Sequence, residues 1–245
     1  MSKNIGLQLY SLREQAAASG YEAIVRQVAD MGYHGVETAG FPGTTAQAAA
    51  KLFAELGLKV TSAHVPLPLG DKKQEVLETM EALGKPALVC TQIRPDDVKS
   101  MDTIKDLCDR LNQGYEVAKT AGLSYGIHNH WWEFGYVDGK LVHHIMLDLL
   151  DPGIFLEVDT YWVKVGGSDP VEIVRILGER APMLHIKDGS GVKEDPMVAV
   201  GDGIMDVPAI LQVAQPEVWK IVELDRSATD PVEACRKSFQ YLSGL

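Results

Sequence analysis

The chain has 245 residues, 46% of them hydrophobic and 23% charged, with a formal net charge of −11. That is enough apolar material for a large core and enough charge for a solvated surface, which excludes a disordered or low-complexity chain. The acidic balance excludes a general nucleic-acid binder, whose basic footprint must replace counterions. Cys90, Cys108 and Cys235 are far apart and form no C-x-x-C pair, so the chain carries no disulfide framework and fits a reduced, cytoplasmic setting. The leading residues lack an apolar signal-peptide core, and no apolar run approaches the roughly 20 residues of a membrane span.

Short apolar runs alternate with amphipathic stretches from end to end. Residues 5–10 read as a first strand, and Ile24, Val25, Val28 and Met31 give helical spacing over 21–31. Residues 35–38 form a short second strand. Thr44 or Thr45 caps a helix that runs to Leu56 and stops at Gly57. A third strand covers 58–65, halted by Pro66 and Pro68, and a helix covers 71–83. A fourth strand at 87–90 precedes a long helix opened by Asp96 or Asp97 and closed near Gly122. The fifth strand spans 123–130. It is followed by an insertion with a turn at Asp138-Gly139 and a helix over 141–150. The sixth strand covers 154–158, and a helix over 169–180 has Asp169 as cap and Pro170 at its first position. The seventh strand is 183–186, followed by a helix over 207–214. The eighth strand is 219–224, and a last helix spans 231–242.

Eight strand–helix units without a break in composition predict a parallel sheet with helices outside. In a chain near the typical size of about 250 residues, they favour a single (β/α)8 barrel, a TIM barrel, over residues 1–245. No G-x-G-x-x-G follows the first strand, which argues against a dinucleotide-binding fold.

In such a barrel the active site lies where strands end. There the sequence delivers Gln8, Glu37, His64, Cys90, Gln92, His128, Asn129, His130, Asp159, His185, Lys187 and Glu223. Four of the seven histidines fall at strand ends, a clustering that favours one common site. The stretches Leu156–Asp159, Leu184–Asp188 and Ile221–Asp225 each end a strand on a carboxylate or an imidazole. Asp159, His185 and Glu223 can therefore converge on one divalent cation. Mixed carboxylate and imidazole ligands suit Mn, Zn, Co or Fe, and less exclusively Mg. Alternating strand side chains put Glu157 on the same side as Asp159, deeper in the barrel. The plainer alternatives are a helix cap or salt bridge for Asp159 and a lysine pair for Glu223.

With these stretches together, the chain resembles the xylose isomerase-like barrel superfamily of sugar isomerases and epimerases. The resemblance rests on residues 6–13, Gly35–Glu37, His128-Asn129-His130 with Glu133-Phe134, Glu157–Trp162, His185–Asp188, Gly201-Asp202-Gly203 with Asp206, and Val222-Glu223. It implies one divalent metal ion with four protein ligands from strands five to eight. Asp159, His185 and Glu223 match three of them. At the fourth position similar epimerases carry glutamate and this chain carries His128. Either His128 binds the metal, the reading favoured here, or Glu133 reaches in as ligand or substrate-facing acid.

A metal that chelates a carbonyl and the neighbouring hydroxyl eases removal of the adjacent C–H proton, giving an enediolate. Glu223, Glu133 and His64 are the candidate catalytic groups. Glu37, His130, Lys187 and Trp162 are the candidate substrate contacts, with Glu37 also a candidate for proton transfer. Trp131, Trp132, Tyr161 and Trp162 fall in loops that could stack on sugar faces or form a subunit interface. The Gly201–Asp206 stretch reads as a mobile loop whose amides could bind anions, with Asp206 better explained as a helix cap. The expected activity is metal-dependent isomerisation or epimerisation of a small carbohydrate, and the runner-up is a lyase or dehydratase on a keto-sugar, keto-glycoside or keto-inositol. A homo-oligomer is possible. A multi-metal endonuclease is disfavoured by the charge, and a non-catalytic scaffold by the cost of burying such a charged group without use.

Overall fold

A computed structural model describes residues 4–245; residues 1–3, part of the segment read for a signal peptide, lie outside the described residues. Eight strands run parallel: β1 (Ile5–Gln8), β2 (Gly35–Thr38), β3 (Lys59–Val65), β4 (Ala87–Cys90), β5 (Tyr125–His128), β6 (Phe155–Asp159), β7 (Met183–Ile186) and β8 (Trp219–Val222). Each pairs with its sequence neighbour, and β1 also pairs with β8, so the sheet closes into a (β/α)8 barrel.

The register explains where the site sits. Gln8 pairs with Glu37, Glu37 with Ser62, His128 with Glu157, and Asp159 with His185. Neighbours in register point to the same side of a sheet and alternate residues to opposite sides. These polar side chains therefore form one inward layer at the C-terminal end. Beneath it the same parity places Phe155, Met183, Trp219 and Ile221 as an apolar floor. Gly126 makes room for it, since a Cβ there would overlap the Phe155 ring. The alternate residues Leu7, Val36, Ala63, Ile127, Val158, Leu184 and Val222 are buried on the other side, beneath the helices. Burying such side chains contributes about 1.5–3 kcal/mol each for the larger ones.

Most expected helices are present. They are α2 (Tyr21–Asp30), α3 (Ala46–Glu55), α4 (Lys73–Ala82), α5 (Met101–Thr120), α6 (Val142–Leu149), α8 (Pro170–Leu177), α9 (Val207–Val213) and α10 (Pro231–Gly244). A side chain caps the first turn of α3, α5, α8, α9 and α10. Thr45, Asp169 and Asp206 cap α3, α8 and α9 as expected. Asp97 does not open α5. A short 3-10 turn at Pro95–Val98 comes first, and Ser100 caps the helix through the Thr103 amide. Asp138 (φ 50°) and Gly139 (φ 75°) form the predicted turn, inside a small hairpin of Tyr136–Val137 and Lys140–Leu141.

Two helices depart from the sequence reading. The first strand gives way at Leu9 to a 3-10 turn and then α1 (Arg13–Ser19), in which only Ala16 is buried. Its alanines favour helix, but it has no apolar stripe to reveal it. The other is α7 (Thr160–Val165), which starts at the end of β6 with Asp159 as its cap. Tyr161 and Trp162 thus sit on a helix, not in a loop. Thr160, Tyr161, Trp162 and Val163 are all buried, so no polar face gives the helical period away. Among the described residues no helix is long and apolar enough to cross a membrane.

Candidate metal centre

The inward polar layer contains two groups of metal-capable side chains that share two histidines. His128, Asp159, His185 and Glu223 bring one donor atom each within 4.8 Å of one another, as do His64, His128, Glu157 and His185. The first is termed the outer group and the second the inner. All but His64 are buried.

In the outer group, Glu223 Oε2 lies 2.7 Å from His185 Nδ1 and 2.7 Å from Lys187 Nζ. Lys187 Nζ also lies 2.9 Å from Asp159 Oδ2 and 2.7 Å from Asp225 Oδ2. Asp159 Oδ1 accepts from the Trp162 amide at 2.9 Å, while Oδ2 faces the Lys187 ammonium. Both plainer roles considered for Asp159 are therefore real: it caps α7 and pairs with a lysine. Asn129 clasps the ends of β5 and β6. Its Oδ1 accepts from the Asp159 amide at 3.0 Å and its Nδ2 donates to the Asp159 carbonyl at 3.2 Å.

In the inner group, His64 Nε2 lies 2.6 Å from Glu157 Oε2 and 3.0 Å from Glu37 Oε1. His185 Nε2 lies 2.6 Å from Glu37 Oε1 and 3.3 Å from Glu157 Oε2. His128 Nδ1 is 3.3 Å from Glu157 Oε2, and its Nε2 is 3.8 Å from Asp159 Oδ2. Gln8 Nε2 donates to Glu37 Oε1 at 2.6 Å, and Ser62 Oγ donates to Glu37 Oε2.

Burial and pairing pull the titrations apart. Burial would raise both carboxyls, yet His64 and His185 hold Glu37 well below its ordinary value, and Lys187 and His185 do the same for Glu223. Burial and the nearby Glu37 charge push Glu157 up to about 7 against its histidines. Burial, with His185, His64 and His130 around it, keeps His128 well below its usual value. It is thus a neutral imidazole with a lone pair to offer.

The donor set fits a divalent cation. Two carboxylates and two imidazoles suit Mn, Zn, Co or Fe. Donors on opposite sides of an ion stand roughly 4.2 Å apart at the usual bond length, close to the observed spread. Asp159 Oδ2 is buried beside the Lys187 ammonium, a place where positive charge is already held.

Several expected site residues lie elsewhere. Glu133 belongs to neither group: its Oε2 accepts from the His130 amide at 3.0 Å and its Oε1 lies 3.7 Å from His130 Nδ1. The 3-10 turn at Trp132–Phe134 folds it back onto its own chain. Glu37 is fully buried with both oxygens hydrogen-bonded, beside the inner group. His130 is partly exposed and stacks on Trp132 with centroids 4.1 Å apart. Lys187 lies 5.3 Å from the Trp162 ring centroid, and Trp131 packs 4.8 Å from Trp162. Cys90 is buried in the hydrophobic core, facing away from the polar layer.

The loop after β7 corrects another expectation. The amides of Gly189, Met205, Gly201 and Gly203 all donate to the Asp188 carboxylate at 2.9–3.2 Å. The anion those amides bind is internal, and it pins the Gly201–Asp206 stretch. A Cβ at Gly203 would overlap Asp188.

The sequence profile of the xylose isomerase-like TIM barrel family matches residues 25–244. The chain belongs to this family. Among solved structures, this xylose isomerase-like barrel is similar to a sugar phosphate isomerase/epimerase from Parabacteroides distasonis, at 26% identity and TM-score 0.82 over 98% of each chain. Two others share the fold. One is a probable 3-DHS dehydratase, AsbF, from Bacillus anthracis, at 14% identity and TM-score 0.77 over 99% of each chain. The other is the IolI protein with a bound zinc atom, at 16% identity and TM-score 0.74 over 98% of this chain and 97% of that one. No curated protein matches the chain at a significant level.

Glu157, Asp225 and Asn129 complete the arrangement without having been singled out as site residues. Glu157 was within reach of the sequence, being two residues before Asp159 on the same side of β6. Asp225 lies beyond the end of β8, where strand alternation no longer applies.

Proposed function

We propose that the protein is a sugar isomerase or epimerase dependent on one divalent metal ion, held by His128, Asp159, His185 and Glu223. The observation that carries this reading is the convergence of those four donors within 4.8 Å at the barrel mouth. The likeness to a sugar phosphate isomerase/epimerase at 26% identity supports it, as does the zinc bound in IolI.

When bound, the metal supplies a Lewis acid that polarises a carbonyl and the adjacent hydroxyl. The remaining work falls to the chain. Glu223, kept ionised by Lys187 and His185, accepts the proton from the carbon beside the carbonyl. Lys187 donates to substrate oxygen where negative charge grows. His64, raised to about 10 because Glu37 and Glu157 outweigh its burial, returns a proton. Its Nε2 is engaged by the two glutamates, so Nδ1 is the nitrogen left for exchange. Trp131, Trp132 and Trp162 cover the sugar face and keep water out, with His130 at the rim. Glu133 takes no step in this scheme.

The test is incubation of metal-loaded protein with a panel of keto-sugars and sugar phosphates in D2O. The expected result is one deuterium at the carbon next to the carbonyl, lost on chelation and restored by Mn or Zn. Absence of exchange across the panel, or exchange that survives chelation, would count against the proposal.

One observation favours a second reading. Position 128 is histidine, so among the four ligands Glu223 is the one carboxylate placed as base, and His64 offers an acid. One base and one acid suit elimination from a keto-sugar or keto-inositol, and AsbF is a fold relative described as a probable dehydratase. Product mass decides: loss of water or of an aglycone marks the lyase.

A further inference from the structure

His128 and His185 each turn one nitrogen to the outer group and the other to the inner. His128 Nε2 faces Asp159 and its Nδ1 faces Glu157. His185 Nδ1 faces Glu223 and its Nε2 faces Glu37 and Glu157. A neutral imidazole has one lone pair and one N–H. Each ring can therefore ligate on one side only, and must donate on the other. Filling both groups at once would need both rings as imidazolates.

The hydrogen bonds on each side differ. Glu37 already receives Gln8, Ser62 and the two histidines, and Glu157 Oε2 is paired with His64. Both oxygens of Glu37 have neutral donors and Glu157 Oε1 has none, while Asp159 Oδ2 in the outer group meets the Lys187 ammonium at 2.9 Å. Among the described residues nothing cationic other than histidine touches Glu37 or Glu157, so their charge is directed at these rings. Histidines that bind a metal are generally oriented by a carboxylate on the far nitrogen.

We infer that Glu37 and Glu157, bridged by His64, are positioning residues that set the tautomers of His128 and His185. His128 is fixed as Nδ1–H with Nε2 free to ligate, and His185 as Nε2–H with Nδ1 free to ligate. The protein then takes one cation in the outer group and none in the inner. His128 Nδ1, at 3.3 Å and not yet aligned with Glu157, needs a slight ring rotation to complete the bond. This inference rests on the metal-dependent reading above and adds which nitrogens ligate and what enforces the choice.

The test is long-range 1H–15N correlation on 15N-labelled protein loaded with zinc, together with the zinc stoichiometry. The expected spectrum shows zinc on His128 Nε2 and His185 Nδ1, protons on the other two nitrogens, and one equivalent bound. Glu157→Gln and Glu37→Gln should each keep one equivalent with affinity weakened 10–100-fold. Zinc on the opposite nitrogens, or two equivalents bound, would overturn the inference while leaving a metalloenzyme. Unchanged affinity in both variants would overturn the positioning role. Failure of the wild-type protein to take up zinc, manganese or cobalt would remove the functional reading itself, and this inference with it.

Discussion

Lys187 Nζ and Glu223 Oε2 lie 2.7 Å apart inside the barrel mouth, and the same ammonium touches Asp159 and Asp225. Lys187 thus occupies the place among three carboxylates where positive charge is wanted. A divalent ion would compete with it for Asp159 and Glu223, leaving Asp225 as its partner. Lys187→Met should destabilise the metal-free protein by about 3–5 kcal/mol, because buried carboxylates lose their counter-charge. Zinc should raise the melting temperature of this variant more than that of the wild type. Thermal denaturation with and without zinc checks both, and equal zinc shifts would argue against competition at one site.

Glu133 Oε2 accepts from the His130 amide at 3.0 Å in the loop after β5. Glu133→Ala leaves the His130 amide without its carboxylate, which should cost about 1–3 kcal/mol. Metal content should stay at one equivalent. Loss of the metal in this variant, measured by elemental analysis, would return Glu133 to the ligand set.

Asp188 gathers four amides of the loop that follows β7. Asp188→Asn turns an amide nitrogen toward two N–H donors, so at least one bond to a charged acceptor is lost, at about 1.5–3 kcal/mol. Residues 189–205 should then be cut faster by protease while the barrel remains folded. Unchanged cleavage would show that the loop is held by other contacts.

His143 lies outside the site, stacked 5.1 Å from Phe134. Burial, with His144 and Arg180 nearby, lowers its value to about 4. An unfolded histidine titrates near 6.5. Between those values the unfolded chain binds a proton that the folded chain refuses, so stability falls as pH drops. The contribution is complete above about pH 6.5 and lost by about pH 4, amounting to about 3 kcal/mol. Urea unfolding at pH 7 and pH 4.5 should show a smaller difference for His143→Gln than for the wild type.

Much of this was legible in the sequence because barrel geometry turns strand ends into a ring. Asp159, His185 and Glu223 were placed by their positions at strand ends, and the family resemblance pointed to His128 as the fourth ligand candidate that now stands beside them. Glu133 and Glu37 lie apart from the outer donor group for a shared reason. A carboxylate near a strand end can satisfy a local amide or a deeper histidine as readily as a substrate, and sequence spacing does not report which. The amides of Gly201 and Gly203 suggested an external anion because Asp188, their true partner, lies more than ten residues earlier. Helix α7 was hidden because all the residues of its first turn are buried, leaving no period to read.

The most direct measurement is manganese binding, followed by the EPR signal of the free ion, for wild-type protein and for Asp159→Asn. The account predicts one equivalent bound by the wild type and at least a hundredfold weaker binding by the variant. No binding by the wild type, or equal binding by both, would contradict it.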